Sequence, residues 1–282
     1  MHALKSKFIS IYLMTTFLFL VISIQKYFEW GRDIHWIFGA ALHAIPLAFI
    51  GYLFLGRPAR TSRSLPYLSV AVLILFSIIA FGIDYSERPL KQPIIYSTFS
   101  ALGWFVYLYW YSFLPGITHG QLRSGKGLPN LIFTDLSGKE VKTSEFKGKT
   151  TLYMFYRGNW CPLCMAQIKE IVAQYLELEK RGVQVVLISA QPQRYTMKLA
   201  SKYGLSMTFL CDPNHATKQV GLYQESGTPL GMELFGFSSD TTLPSVIITN
   251  TEGKIIYIDQ TDNYRVRPEP ETFLKIIDEI DA

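Results

Sequence analysis

Charged residues are scarce in the first 120 residues of this 282-residue chain. Over the whole sequence only 17% of the residues are Asp, Glu, Lys or Arg, whereas roughly 25% is typical of soluble proteins. The shortage is concentrated in four stretches that contain none of these residues: Phe8–Ile24, Ile34–Leu55, Leu65–Ile83 and Pro93–Leu114. A soluble helix normally carries a polar face, so four such stretches in succession argue against a wholly soluble protein.

Each uncharged stretch has about the twenty residues that a helix needs to cross the hydrocarbon core of a bilayer. Aromatic rings, which prefer the headgroup level, lie near the ends of these stretches at Tyr27, Trp30, Trp36, Trp110 and Tyr111. A signal peptide is the alternative for the first stretch, but no small-residue cleavage pattern follows it. The sequence therefore predicts an all-α transmembrane domain of four helices over residues 1–114, with the lipid bilayer as a partner.

The segments on one side of these predicted helices contain basic residues but no acidic ones. They are the N-terminus, the loop after the second stretch and the segment after the fourth. That side has seven basic residues: Lys5, Lys7, Arg57, Arg60, Arg63, Arg123 and Lys126. The other side has four, balanced by acids: Lys26 and Arg32 with Glu29 and Asp33, and Arg88 and Lys91 with Asp84 and Glu87. The positive-inside rule then places both termini in the cytoplasm of a multi-pass protein of the cell inner membrane.

Cysteine is absent from the predicted spans, which excludes electron transfer through them by a dithiol relay. Their histidines are His35 and His43, both in the second span, and His119 follows the fourth. A haem or quinone site is one interpretation of a histidine within a membrane. We favour a packed, hydrogen-bonded core histidine, and we expect no cofactor. The net charge of +5 is small and gives no reason to expect nucleic acid.

The remainder of the chain reads as a linker over residues 115–130 and an α/β domain over residues 131–282. Strands are predicted at Thr150–Tyr156, Val183–Ala190, Ser206–Cys211, Ser245–Asn250 and Lys254–Asp259, from their β-branched and aromatic content. Helices are predicted at Pro162–Arg181, around Arg194–Tyr203 and from about Pro270. This order indicates a mixed central sheet flanked by helices.

Only three cysteines are present, and two of them form the sequence Trp160-Cys161-Pro162-Leu163-Cys164. The pair follows the first long strand, and Pro162 suits the first position of a helix, which makes Cys161 the N-cap. Backbone N–H groups and the helix dipole lower a cysteine pKa at that position. We therefore expect Cys161 to be the more exposed thiol and the first to ionise, with Cys164 shielded behind it.

The stretches FYRGNWCPLC, VVLISAQP, FLCDPNHATKQVGLY and LPSVIITNTEGKIIYID resemble the peroxiredoxin-like redoxins of the thioredoxin superfamily. The resemblance covers residues from about 128 onward and leaves out the predicted spans. It implies a thioredoxin-like fold and thiol chemistry at Cys161 and Cys164. It also implies that Pro244 follows a cis peptide bond and faces the cysteine pair.

The sequence departs from the peroxiredoxin signature at positions that matter for peroxide chemistry. Laid over that signature, Cys164 takes the place of the peroxide-reacting cysteine, Cys161 that of the threonine and Arg157 that of the proline. The arginine of that family is replaced by Leu243, and the buried acid of thioredoxins by Phe155. For these reasons the sequence favours a dithiol that reduces disulfides or peroxides, with Trp160, Pro162, Pro244 and Arg157 as supporting residues and an external thiol as reductant.

Two alternatives stay open at this point. The first is a thiol peroxidase in which Cys164 reacts with the peroxide and Cys161 resolves the product. The second is a membrane scaffold that is either stabilised by zinc or non-catalytic. Zinc would be bound by the cysteine pair together with Cys211 and His215. Cys211 is otherwise expected to be a small buried apolar residue.

Two arginines, Arg265 and Arg267, are expected at the surface, and Gln224–Thr242 is expected to be a long loop.

Overall fold

The computed structural model describes residues 2–81, 91–114, 122–204 and 206–279. The chain forms two compact units: one contains Met1–Ser6, Arg57–Arg60 and Leu114–Ala282, and the other contains Lys7–Gly56 and Thr61–Phe113. Three features of the sequence lie outside the described residues: His119, residues 115–121 of the predicted linker, and the loop charges Asp84, Glu87 and Arg88. The domain limits drawn from the sequence stay a prediction.

The second unit is helical. Its helices are α1 (His2–Glu29, whose first residues belong to the other unit), α2 (Ile34–Leu55), α3 (Pro66–Phe81) and α4 (Lys91–Val106), followed by a π-helical turn at Tyr107–Tyr111. Within the described residues, two helical segments are long and apolar enough to cross a membrane, Ala3–Glu29 and Ile34–Leu55. The third helix is apolar but has 16 residues. The count of four membrane spans therefore stays a prediction.

Both described histidines of this unit have polar partners. His43 is fully buried, and its Nδ1 lies 2.7 Å from the hydroxyl of Ser100. His35 is partly buried, with its Nδ1 2.8 Å from the carboxylate of Asp33, which also caps the start of α2. The expectation of a packed, hydrogen-bonded core histidine is confirmed for His43.

The first unit is built on a seven-stranded mixed sheet with the strand order β2-β1-β5-β4-β3-β8-β9. Strands β3, β4 and β5 are parallel, and all other pairs are antiparallel. The strands are β1 (Ile132–Thr134), β2 (Glu140–Lys142), β3 (Thr151–Phe155), β4 (Gln184–Ser189), β5 (Thr208–Cys211), β8 (Ser245–Thr249) and β9 (Ile255–Gln260). A separate two-stranded ribbon joins β6 (Tyr223–Gln224) to β7 (Thr241–Thr242). The mixed thioredoxin-like sheet expected from the sequence is confirmed.

Four helices flank this sheet: α5 (Pro162–Ala173), α6 (Tyr175–Lys180), α7 (Gln193–Tyr203) and α8 (Pro270–Asp278). The sequence predicted one helix over Pro162–Arg181, and this was wrong. Gln174 leaves helical geometry, and its N–H group is shared among three carbonyl groups of the preceding turn. The second helix, α6, ends just before Gly182. The φ of Gly182 is +69°, a backbone conformation that glycine adopts without strain.

The sheet positions the cysteine pair. Every residue of β3 is buried, because β4 and β8 cover both of its edges and side chains cover both of its faces. Its last residue, Phe155, lies opposite Ile188 and Ser245. The segment between β3 and α5 therefore leaves from the carboxyl edge of the central strand, which is where open α/β sheets place their sites.

Candidate active site

Cys161 caps the N-terminus of α5. Its backbone is extended (φ −88°, ψ 108°), Pro162 takes the first helical position, and the Cys161 carbonyl accepts a hydrogen bond from the Met165 N–H group at 3.1 Å. Cys164 lies in the first turn. The predicted arrangement of the pair on the helix is confirmed. The Cys161 side chain itself, however, makes no capping hydrogen bond.

Gly158 makes the turn between β3 and the cysteine pair. Its φ is +152°, and a β-carbon there would lie 2.8 Å from Trp160 Nε1 and 3.2 Å from Gln191 Oε1.

We expect Gly158→Ala to lower the free energy of unfolding by about 2 kcal/mol more than Gly148→Ala, because only the former adds a clash. Gly148 is the matched control, since it has a φ of +95° with open space around it. Thermal unfolding of both variants measures this, and equal destabilisation would contradict it.

Both sulfur atoms are buried. Cys161 is 1% exposed and Cys164 is 0% exposed, and neither forms a disulfide. The expectation that Cys161 is markedly more exposed is therefore wrong. A position at a helix N-terminus does not ensure contact with solvent when other segments pack over it, as they do here.

The electrostatic environment differs between the two thiols. Burial raises the pKa of any thiol, but at Cys164 the hydrogen bond from Cys161 and the positive charge of Arg267 outweigh it and lower the pKa to about 6. At Cys161 the pKa is raised, because burial and the hydrogen bond to Cys164 both favour the neutral thiol. Cys164, and not Cys161 as expected from the capping position, is the thiol that ionises first.

Arg267 is a cationic side chain in contact with Cys164. Its Nη2 lies 3.7 Å from the Cys164 sulfur, while Nε donates to the Tyr264 carbonyl at 2.9 Å and Nη1 lies 3.5 Å from Gln167 Oε1. Arg267 and Arg265 are both buried, so the expectation that they lie at the surface is wrong. Sequence reasoning missed Arg267, because it is about a hundred residues from the cysteines and no motif marks it.

Arg157 brings a second guanidinium group to the site. Its charge also favours the thiolate of Cys164, and its Nη2 donates to the Gly227 carbonyl at 2.6 Å. The guanidinium lies over the Trp160 ring at 4.7 Å and near the Tyr264 ring at 5.5 Å. The structure thus brings Arg157 and Trp160, two of the expected supporting residues, together beside the cysteine pair.

Gln191 fixes the segment that precedes the pair. Its side-chain amide accepts a hydrogen bond from the Asn159 N–H group at 2.9 Å and donates to Tyr156 Oη at 3.1 Å and to Asn159 Oδ1 at 3.0 Å. Gln191 follows β4, so the carboxyl ends of two neighbouring parallel strands are joined at the site. No motif in the sequence predicted this bridge.

The peptide bond before Pro244 is trans, so the prediction of a cis proline at this position was wrong. The physical reason is the course of the chain: β7 ends at Thr242, the Leu243 N–H group donates to the Leu222 carbonyl at 2.7 Å, and the chain continues extended into β8. A trans bond continues this path and is the lower-energy isomer for most X–Pro pairs. Leu243 is buried and apolar and contributes no charge.

Cys211 is buried at the end of β5, and burial raises its pKa, as expected for a small apolar residue. In the described parts of the chain, no group of three or more His, Cys, Asp or Glu side chains is placed to hold a metal ion. The zinc arrangement built on Cys211 and His215 therefore gains no support from the fold.

Comparison with known proteins places this geometry in a family. The sequence profile described as Redoxin matches residues 123–274. The thiol-disulfide oxidoreductase ResA of Bacillus anthracis is 23% identical over 158 residues, which cover 56% of this chain and 80% of that protein. Chloroplastic peroxiredoxin Q of Triticum aestivum is 32% identical over 145 residues, which cover 51% of this chain and 61% of that protein.

Solved structures also resemble part of the chain. Peroxidoxin BcpB of Mycobacterium tuberculosis superimposes with a TM-score of 0.48 at 15% identity, covering 57% of this chain and 99% of that one. AhpC of Enterococcus faecalis gives a TM-score of 0.45 at 16% identity, covering 56% and 92%.

Proposed function

The chain belongs to the Redoxin family, and we propose that it is a membrane-anchored thiol peroxidase. Cys164 is the attacking thiolate and Cys161 is the resolving thiol. This reverses the order expected from the capping position alone. The observation that carries the proposal is the environment of Cys164, where a 3.7 Å contact from Arg267 accompanies a pKa of about 6.

The reaction needs a thiolate and donors for the oxygen that leaves. The Cys164 sulfur attacks one oxygen of a hydroperoxide, the O–O bond breaks, and the leaving alkoxide takes a proton to become an alcohol. Cys164 is then a sulfenic acid. Arg267 and Arg157 supply the fixed positive charge that stabilises the developing oxyanion, a role that the sequence comparison had left without a residue.

The cycle closes through the second cysteine. The Cys161 thiol attacks the sulfenic acid, releases water and forms the Cys161–Cys164 disulfide. An external dithiol then supplies two electrons and two protons and restores both thiols. Pro162 and the first turn of α5 keep the two sulfurs in hydrogen-bonding contact, so the disulfide closes with little movement of the helix.

Burial of the pair favours a small hydroperoxide group over a folded protein disulfide. Exposures of 1% and 0% leave too little surface for the disulfide of a folded partner protein to approach either sulfur in line, whereas a small hydroperoxide or a small external dithiol needs far less room. The competing function is the reduction of protein disulfides, and the ResA relative carries the name thiol-disulfide oxidoreductase.

An assay with two substrates tests the proposal. Purified protein in nanodiscs, supplied with an external dithiol, should consume hydrogen peroxide catalytically and should reduce an oxidised model protein much more slowly. The Cys211→Ser variant is the control, because it removes a buried thiol that has no role in the cycle. Fast disulfide reduction with no peroxide consumption would establish the competing function.

We also propose that the redoxin unit faces the cytoplasm, from the excess of basic residues on its side of the apolar helices. Glu252 lies in the exposed turn between β8 and β9 and suits a reporter cysteine. A membrane-impermeant maleimide should fail to label Glu252→Cys in intact cells and should label it after lysis. The native cysteines are buried and should stay silent in both samples. Labelling before lysis would reverse the orientation.

A further inference from the structure

A cluster of polar side chains lies inside the helical unit, among three of its helices. Its members are Ser23 of α1, His43 of α2, and Ser97 and Ser100 of α4. All four are buried, with no more than 1% of each residue exposed. Buried polar groups are hydrogen-bonded in the great majority of cases, so each exception needs an explanation.

Two side-chain atoms of this cluster lack a partner among the described residues. The Nδ1 atom of His43 lies 2.7 Å from the Ser100 hydroxyl, but neither the His43 Nε2 atom nor the Ser97 hydroxyl has a hydrogen-bond partner there. This holds for both neutral tautomers of the imidazole, because Nε2 is a donor in one and an acceptor in the other. Both residues are 0% exposed, so bulk solvent does not satisfy these atoms either.

The unpartnered atoms converge on Gly39. A β-carbon built there would lie 3.6 Å from Ser23 Oγ, 3.8 Å from Ser97 Oγ and 3.9 Å from His43 Nε2. Apart from Gly39, its two neighbours and the backbone of α2, these are the three atoms of the described chain nearest to that point. Gly39 and His43 are four residues apart and therefore share one face of α2. The cluster thus surrounds a position that glycine keeps free of a side chain.

We propose that this cluster binds one small uncharged hydroxylic molecule beside Gly39, and that water is the one that fits. Water both donates and accepts, so it pairs with either tautomer of the imidazole and with the hydroxyl groups. A buried water typically makes about three hydrogen bonds to groups that otherwise lack a partner. An ion is disfavoured, because none of the four side chains carries a permanent charge to balance it.

The space beside Gly39 limits the ligand to one heavy atom. Distances of 3.6–3.9 Å from the β-carbon position are ordinary van der Waals contacts, so a single atom fits there and a larger molecule would displace the side chains around it. The site consists of residues of the helical unit alone and does not depend on the proposed peroxidase function.

A bound water would connect three helices. His43 already joins α2 to Ser100 of α4 through its Nδ1 atom. The water would join the Nε2 atom to Ser97 of α4 and to Ser23 of α1. Hydrogen bonds and close packing hold helices together in a lipid environment, where burial of apolar surface contributes little. We therefore expect the site to stabilise the bundle.

Filling the position with a methyl group tests this expectation. Gly39→Ala places its methyl group at van der Waals distance from its neighbours, so it displaces the water without a clash. We expect the Tm of the full chain in nanodiscs to fall by about 4 °C, because three polar atoms lose their shared partner. Tryptophan fluorescence follows the unfolding, since the helical unit holds four of the five tryptophans.

Gly51→Ala is the matched control for this measurement. Gly51 lies in the same helix, and no atom lies within 4 Å of its β-carbon position. Its replacement should leave the Tm unchanged or raise it, because alanine favours the helix over glycine. A Tm of Gly39→Ala equal to or above that of Gly51→Ala would overturn the proposal.

Solid-state NMR detects the water directly. In nanodiscs that contain protein labelled with 15N-histidine, the His43 ring signal is assigned by its loss in His43→Asn. This signal should receive magnetisation from water in the native protein and should no longer receive it in Gly39→Ala. His35 is the internal control, because its side chain is 16% exposed and should receive magnetisation in both proteins. No transfer to His43 in the native protein, or transfer that persists in Gly39→Ala, would overturn the proposal.

Discussion

Replacing Cys164 by serine should slow the reaction with hydrogen peroxide by more than about a thousandfold, because a serine hydroxyl stays neutral where the thiol ionises. The comparison is the first turnover of reduced protein, followed by peroxide consumption in a stopped-flow instrument. Cys161→Ser should keep this first reaction within a few-fold and should lose only the steps that follow. Cys211→Ser should leave the whole cycle intact.

The opposite pattern would restore the order expected from the capping position. If Cys161→Ser is inert and Cys164→Ser still reacts once, the attacking thiol is Cys161. In that case burial and the hydrogen bond between the thiols would not set the order of ionisation.

Removing the charge of Arg267 should have the second largest effect. Arg267→Gln keeps a polar side chain of similar reach but raises the pKa of Cys164, because a positive charge beside the thiolate is lost. The hydrogen bond from Cys161 and the charge of Arg157 remain, so the pKa should rise part of the way toward the ordinary cysteine value of about 8.5, at which about 3% would be thiolate at pH 7. We therefore expect the rate at pH 7 to fall about tenfold. Oxyanion stabilisation is lost at the same time.

The pH profile separates the two contributions. For the native protein the rate should rise with pH through about 6 and then level off, since only the thiolate reacts and its fraction grows as pH passes the pKa. In Arg267→Gln the rise should move to higher pH, and any deficit that persists on the plateau measures the lost oxyanion stabilisation. Arg181→Gln is the matched control, because Arg181 pairs with Asp278 on the surface. An unchanged profile in Arg267→Gln would remove Arg267 from the site.

The framework of the site could be predicted from the sequence because it depends on local signals. A β-branched and aromatic strand and a proline at the first helical position define β3 and the start of α5 within a few residues of where they are observed. The break at Gln174 was missed, since no proline or glycine marks it. Strands β1 and β2 were missed because three residues are too few to show a periodic pattern.

The electrostatics of the pair could not be predicted, because it is set by residues far along the chain. Arg267 reaches Cys164 only after β8, β9 and the following loop have folded back toward α5. The helix dipole favours ionisation of the capping residue Cys161, but burial and the thiol–thiol hydrogen bond decide which sulfur ionises. The resemblance to a family predicted the fold correctly, but its prediction of a cis bond before Pro244 was wrong. The bond is trans because the ribbon of β6 and β7 leads the chain in an extended conformation into β8.

The most direct test of the central claim is to treat reduced Cys161→Ser protein with one equivalent of hydrogen peroxide in the presence of a dimedone probe. Peptide mass spectrometry should find the dimedone adduct at Cys164 and at no other cysteine, and native protein treated in the same way should yield the Cys161–Cys164 disulfide. An unmodified Cys164 in protein that has consumed its peroxide, or a native disulfide that involves Cys211, would contradict the account.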